Sequence, residues 1–163
     1  MRNHAFKVAS LGMLFALSIV LSFVETGLSA FVPIPGIKLG LSNIVIMYCL
    51  FFLGKREAFI LVVLKALFVL LRSPIGAAMS LSGGMLSVVV MIMVKRHKSS
   101  ELFISICGGV FHNIGQLIMA SIVLKSGMVY YYFPILGISG IIMGALTGIL
   151  LRFLTPYVNR MFF

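Results

Sequence analysis

An all-α integral membrane protein, a single-domain bundle of six transmembrane helices, is the fold class that the sequence predicts. Three observations carry that expectation. The chain of 163 residues is 61% hydrophobic and only 10% charged, and its mean hydropathy is +1.20. A soluble domain of this length needs far more polar surface. The apolar runs recur along the whole chain, whereas a cleaved leader would explain only one of them. Finally, the basic residues are sorted between alternate connections, as they are in a polytopic protein.

A helix needs about 20 apolar residues to cross the hydrocarbon core. Six segments qualify or come close, at about 5–24, 39–53, 58–71, 75–94, 102–124 and 129–151. The second and third are short, and the polar break Gly54-Lys55-Arg56-Glu57 separates them as a loop. With a cytoplasmic N-terminus, nine basic residues fall inside: Arg2, Lys7, Lys55, Arg56, Lys95, Arg96, Lys98, Arg152 and Arg160. Only three, Lys38, Arg72 and Lys125, fall outside, and Lys65 lies within the third span. Both termini are therefore expected in the cytoplasm of a cell-membrane, multi-pass protein.

The net charge of +10 comes from 13 Lys+Arg against 3 acidic residues. In a membrane protein these charges orient the chain and meet anionic lipid. No basic helix with interleaved aromatics stands outside the spans, so nucleic acid is not an expected partner. Cys49 and Cys107 both lie in apolar runs and form no CxxC pair, so they read as small apolar residues.

The spans carry stripes of small residues, which let helices approach closely where no hydrophobic effect drives association. Ala5, Ala9, Gly12 and Ala16 mark one face of the first span. Gly76, Ser80, Gly83 and Ser87 mark the fourth, and Gly140, Gly144 and Gly148 the sixth. Packing within the bundle is the preferred reading for the fourth and sixth. For the first, packing and a partner surface stand about level, because a first helix often lies at a bundle edge.

Polar groups inside the spans need a physical reason. Lys65 and Arg72 are seven residues apart on the third span and share a face. Arg72 is close enough to the outer end to snorkel. Lys65 is deeper and requires a partner or a wet cavity. Glu25 ends the first span, where an ion pair with Lys38 or Arg72 is the simple expectation. The fifth span carries His112, Asn113 and Gln116, with Ser105 and Gly109 extending the face. Interhelical hydrogen bonding and a ligand site are both compatible with that stripe. Tyr130, Tyr131 and Tyr132 open the sixth span as an interfacial aromatic belt or, less simply, a ligand-stacking wall.

The stretch FVPIPGIKLGLSN (31–43) combines these themes. Pro33, Pro35 and Gly36 form a stiff non-helical turn. Lys38 then precedes the second span, where free N–H groups and the positive end of the helix dipole already gather. A lysine there opposes the dipole, so helix stability does not explain it. Gly40 permits close approach, and Ser42 and Asn43 offer hydrogen bonds. The stretch reads as an anion-binding corner of an outward-facing site for a negatively charged or carbonyl-rich small molecule.

Several chemistries are absent from the sequence. There is no Asp, and Glu25, Glu57 and Glu101 are far apart. No aspartate-rich motif exists to hold Mg²⁺ on a diphosphate, and no carboxylate cluster for another hard metal. No GxxxxGK[ST] loop and no Ser-His-Asp set is present. No catalytic residue, metal or cofactor is expected, and the chain does not read as an enzyme.

The PxPGxKLGLxN stretch (Pro33 to Asn43), the short spans and the small size resemble the family called heptaprenyl diphosphate synthase component I, or Gx transporter. That family is similar to the substrate-binding S components of energy-coupling factor (ECF) transporters. The resemblance covers essentially the whole chain. It implies a six-helix S-component fold with a ligand pocket near the outer face. It also implies docking of the first-span face (Ala5, Ala9, Gly12, Ala16) onto a transmembrane coupling subunit driven by two ATPase subunits. Lys7 interrupts the AxxxA pattern and is a departure from it.

Together these readings give a binding subunit for uptake of a vitamin-like or otherwise polar molecule. Its ligand residues are expected to be Lys38, Asn43, Arg72, His112, Asn113 and Gln116. The alternative is a non-transporting membrane subunit in isoprenoid, quinone or flavin-linked redox metabolism.

Overall fold

The computed structural model describes residues 4–29 and 41–162, all in helices or short connections. The helices are α1 (His4–Ser29), α2 (Leu41–Phe52), α3 (Lys55–Leu70), α4 (Pro74–Arg96), α5 (Glu101–Leu124) and α6 (Phe133–Phe162). A 3₁₀ turn, Gly127–Tyr132, leads into α6. The expected stretch 31–40, with Pro33, Pro35, Gly36, Lys38 and Gly40, lies outside the described residues.

Four of these segments are long and apolar enough to cross a membrane: Ala5–Glu25, Pro74–Arg96, Glu101–Leu124 and Gly127–Phe153. The expected second and third spans fold as helices of only 12 and 16 residues. At 1.5 Å per residue they rise about 18 and 24 Å, short of a hydrocarbon core of about 30 Å. The six-span expectation thus resolves into four full-length helices and two short ones. The sixth segment also differs from its sequence reading. The three tyrosines lie on the 3₁₀ turn, and α6 starts at Phe133 and runs on past residue 151.

Sequence signals fix the helix starts. Ser73 caps α4, its hydroxyl accepting from the Gly76 N–H at 3.1 Å, and Pro74 supplies a first helical residue that needs no donor. Ser100 caps α5 in the same way through Phe103 N–H. Between α2 and α3 the chain reverses at Gly54, whose φ of 135° is a conformation L side chains rarely adopt. A Cβ there would also meet the Glu57 carboxylate at 2.8 Å. Lys95 reaches from α4 to the end of α2, donating to the Leu50 carbonyl at 3.5 Å and lying 4.2 Å from the Phe51 ring centre.

The short helix α2 forms the centre of the bundle. Val45, Ile46, Met47, Cys49 and Leu50 are all at most 2% exposed. They pack on Leu61 and Val62 of α3, Val88 and Met91 of α4, Ile104 of α5 and Leu151 of α6. The other five helices surround α2, and α1 touches only α2 and α3 among them. Helices α3 to α6 pack in sequence order, each on the next except that α6 closes back on α2.

Small residues make the closest crossings. A Cβ added at Gly140 would lie 2.9 Å from Val110 Cα, and one at Gly148 3.0 Å from Leu102 Cα. Gly83 and Gly84 of α4 are as tight, against the His112 carbonyl of α5 and Val62 of α3. Ser82 and Ser87 add hydrogen bonds across the α4–α5 contact, each donating to a glycine carbonyl, Gly115 and Gly108, at 2.8 Å. The small-residue stripes of α4 and α6 are therefore packing surfaces, as their spacing suggests.

Candidate functional site

The start of α2 gathers most of the buried charge. Measured along the helices from the Gly54 turn, Asn43 on α2 and Lys65 on α3 both stand about 14–15 Å up, roughly half the hydrocarbon thickness. There Lys65 Nζ donates to Asn43 Oδ1 at 3.2 Å. Beside them Ser42 Oγ donates to Glu25 Oε2 at 3.3 Å. Glu25, Ser42 and Lys65 are 5%, 2% and 7% exposed. A carboxylate from α1 and an ammonium from α3 thus meet the first described residues of α2. The corner therefore holds both signs rather than a bare positive field.

Arg72 does not join this group. It is exposed and stands 5.1 Å from the Phe23 ring centre on α1, while Phe23 meets Phe68 edge-on at 6.0 Å. The expected Glu25–Arg72 ion pair gives way to this cation–π stack. Lys38, the other expected partner, lies outside the described residues.

The α5 stripe divides into two directions. His112 and Gln116 hydrogen-bond each other through Nε2 atoms 3.0 Å apart, and both lie against the Gly83 backbone of α4. Asn113 turns to α6, donating to the Leu136 carbonyl at 2.7 Å. All three are buried. Asn113 thus performs the interhelical bonding that was one of the two expectations for the stripe.

Asn43 and Asn113 come together on the wall of a cavity of about 20 Å³ between α2, α4, α5 and α6, where Ser87, Ser105 and Thr147 add polar atoms to a mostly apolar lining. His112, Gln116 and Arg72 do not line it. Sequence reasoning missed Thr147, which looks like an ordinary apolar-run residue, and took Ser87 only as part of a packing stripe. Among the described residues no group of three or more His, Cys, Asp or Glu comes together to hold a metal.

On the outside of the bundle, Ala5, Ala9, Gly12 and Ala16 are all exposed, and nothing lies within 4 Å of where a Gly12 Cβ would stand. Lys7 occupies the other side of α1, where its Nζ pairs with Glu57 Oε1 at 3.2 Å. Lys7, the departure from the AxxxA pattern, thus ties α1 to α3 and lies away from the small-residue face. Burial pushes the Glu57 carboxyl up, but the hydrogen bond from its own backbone N–H, Lys7 and Arg56 together outweigh it and hold it below the usual value. A depressed carboxyl stabilises the fold above its ordinary pKa and loses that contribution as pH falls through the lowered one. With Lys7 38% exposed, Glu57→Gln is expected to cost less than about 1 kcal/mol. Thermal unfolding in detergent should show that difference at neutral pH and lose it in acid.

The family model described as heptaprenyl diphosphate synthase component I matches residues 14–154, most of the chain. The chain belongs to this family. Component I membership covers α2 to α5 entirely, together with most of α1 and α6. No curated protein and no solved structure matches the chain.

Proposed function

We propose that this component I protein is the substrate-binding membrane subunit of an energy-coupled uptake system of the ECF type, with a small polar or vitamin-like molecule as its cargo. One observation carries the ligand-binding part of that reading. Glu25, Ser42, Asn43 and Lys65 converge, largely buried, between α1, α2 and α3. Charged groups inside a membrane bundle are costly, and by default they mark a functional site. Because the corner holds a carboxylate as well as an ammonium, it suits a ligand with both carbonyl oxygens and hydrogen-bond donors better than a simple anion. Lys38 is the residue that this reading adds from the stretch 31–40.

The exposed Ala5-Ala9-Gly12-Ala16 face is the surface we assign to a coupling subunit, itself driven by two ATPases. Its placement at the bundle edge supports that assignment, since the stripes on α4 and α6 are consumed internally. In this arrangement α2 and α3 complete six membrane passages as a short hairpin, and both termini are cytoplasmic.

The family description favours a second reading, a non-transporting partner of a prenyl, quinone or flavin enzyme. Affinity purification from native membrane in mild detergent separates the two. The transport reading expects a coupling subunit and two ATPases in the eluate, lost in the double variant Ala9→Leu, Gly12→Leu. Both positions are exposed, and nothing lies within 4 Å of a Gly12 Cβ, so the variant should remain folded. Recovery of prenyl, quinone or flavin enzymes, unaffected by that variant, would overturn the transport reading.

A further inference from the structure

We propose that the cavity between α2, α4, α5 and α6 is a binding site for one ordered water molecule. Its volume of about 20 Å³ exceeds the roughly 10–15 Å³ that one water requires. Ser105 lines it at 3% exposure, and its Oγ has no hydrogen-bond partner among the described residues. Leaving a buried hydroxyl in that state is costly, so a partner in the cavity is favoured.

The chemistry of the wall selects that partner. Ser87 spends its proton on the Gly108 carbonyl, and Thr147 spends its own on the Met143 carbonyl, both at 2.8 Å. Each keeps oxygen lone pairs. Asn113 commits an amide N–H to Leu136, which leaves its amide oxygen as an acceptor. Ser105 can donate or accept. Asn43, whose Oδ1 accepts from Lys65, keeps its amide N–H groups as donors. The wall therefore offers both acceptors and donors, and it suits a small neutral molecule that can give and accept protons. A metal cation fits poorly, because no acidic residue lines the cavity and the Lys65 ammonium bonds Asn43 on its wall. The water would join four helices at one point, beside the bond that Asn113 makes from α5 to α6.

Radiolytic hydroxyl-radical footprinting of the intact protein in detergent tests this, because radicals formed from a bound water mark its neighbours. Met47 and Met91 line the cavity yet are 1% and 3% exposed. Cys49, fully buried and outside the cavity, is the dry control. Met13 and Met128 are exposed controls that report an intact fold.

The expected result is that Met91 is modified severalfold faster than Cys49. Ser105→Val, which fills the space, and Ser105→Ala, which removes the hydroxyl without adding bulk, should both slow it toward the Cys49 rate. The proposal is overturned if Met91 is as silent as Cys49 in the unaltered protein, or if neither variant changes its rate. It is equally overturned if sodium, but not choline, raises the thermal midpoint and Ser105→Ala removes that effect, since the site would then hold a cation.

Discussion

Gly144→Val is expected to abolish the folded bundle. A Cβ at position 144 would stand 2.6 Å from Ile106 Cα and 2.8 Å from the Ser105 carbonyl. Both are backbone atoms of α5, so no rotamer change relieves the overlap. The helices must separate, and the neighbouring crossings at Gly140 and Gly148 open with them. Overpacking of a tight site costs typically 1–3 kcal/mol and more where the backbone must move, and here several contacts fail together. Size-exclusion chromatography in detergent should show aggregate in place of the monodisperse peak. A monodisperse Gly144→Val with an unchanged thermal midpoint would mean that α5 and α6 do not cross at this glycine. Gly12→Val, on the exposed face of α1, is the matched substitution expected to do no harm.

Lys65→Met is expected to remove ligand and to lower stability. The side chains have similar length, but taking one charge from a buried corner that holds both signs leaves the Glu25 carboxylate uncompensated and Asn43 Oδ1 without its donor. A bound carbonyl or carboxylate would also lose a charge-assisted hydrogen bond worth about 1.5–3 kcal/mol, or roughly 10- to 100-fold in affinity. Small molecules released on denaturing the purified protein, identified by mass spectrometry, provide the readout. A species carried by the unaltered protein should disappear from Lys65→Met protein that still elutes as a monodisperse peak. Full retention of that species would exclude Lys65 from the site.

Much of this architecture can be read directly from the chain. The runs that become α1, α4, α5 and α6 are long and apolar, and Ser73-Pro74 and Ser100-Glu101 mark two helix starts in plain chemical terms. The glycine spacing of α6 announces a close crossing, since only backbone can meet backbone at that distance. The depth of α2 was less accessible. Its residues are apolar on every side, so composition places it in the membrane without saying that protein, rather than lipid, surrounds it. Lys7 was legible in principle, because two residues from Ala5 is about 200° around a helix, on the far side of the small-residue face. Arg72 was not, because snorkelling to water and stacking on Phe23 require the same span position. The cavity was hidden for a further reason. Asn43, Ser87, Ser105, Asn113 and Thr147 lie on four different helices, and no spacing within one segment can reveal that they meet.

The enclosure of α2 also governs how the protein enters the bilayer. The described part of α2 is surrounded by the other five helices, so its place depends on α3, joined through the glycine turn at 54, and on α4, α5 and α6 closing around it. A weakened α5–α6 crossing would be felt at the moment of biogenesis, as expulsion of the central hairpin, before any finished protein existed to unfold.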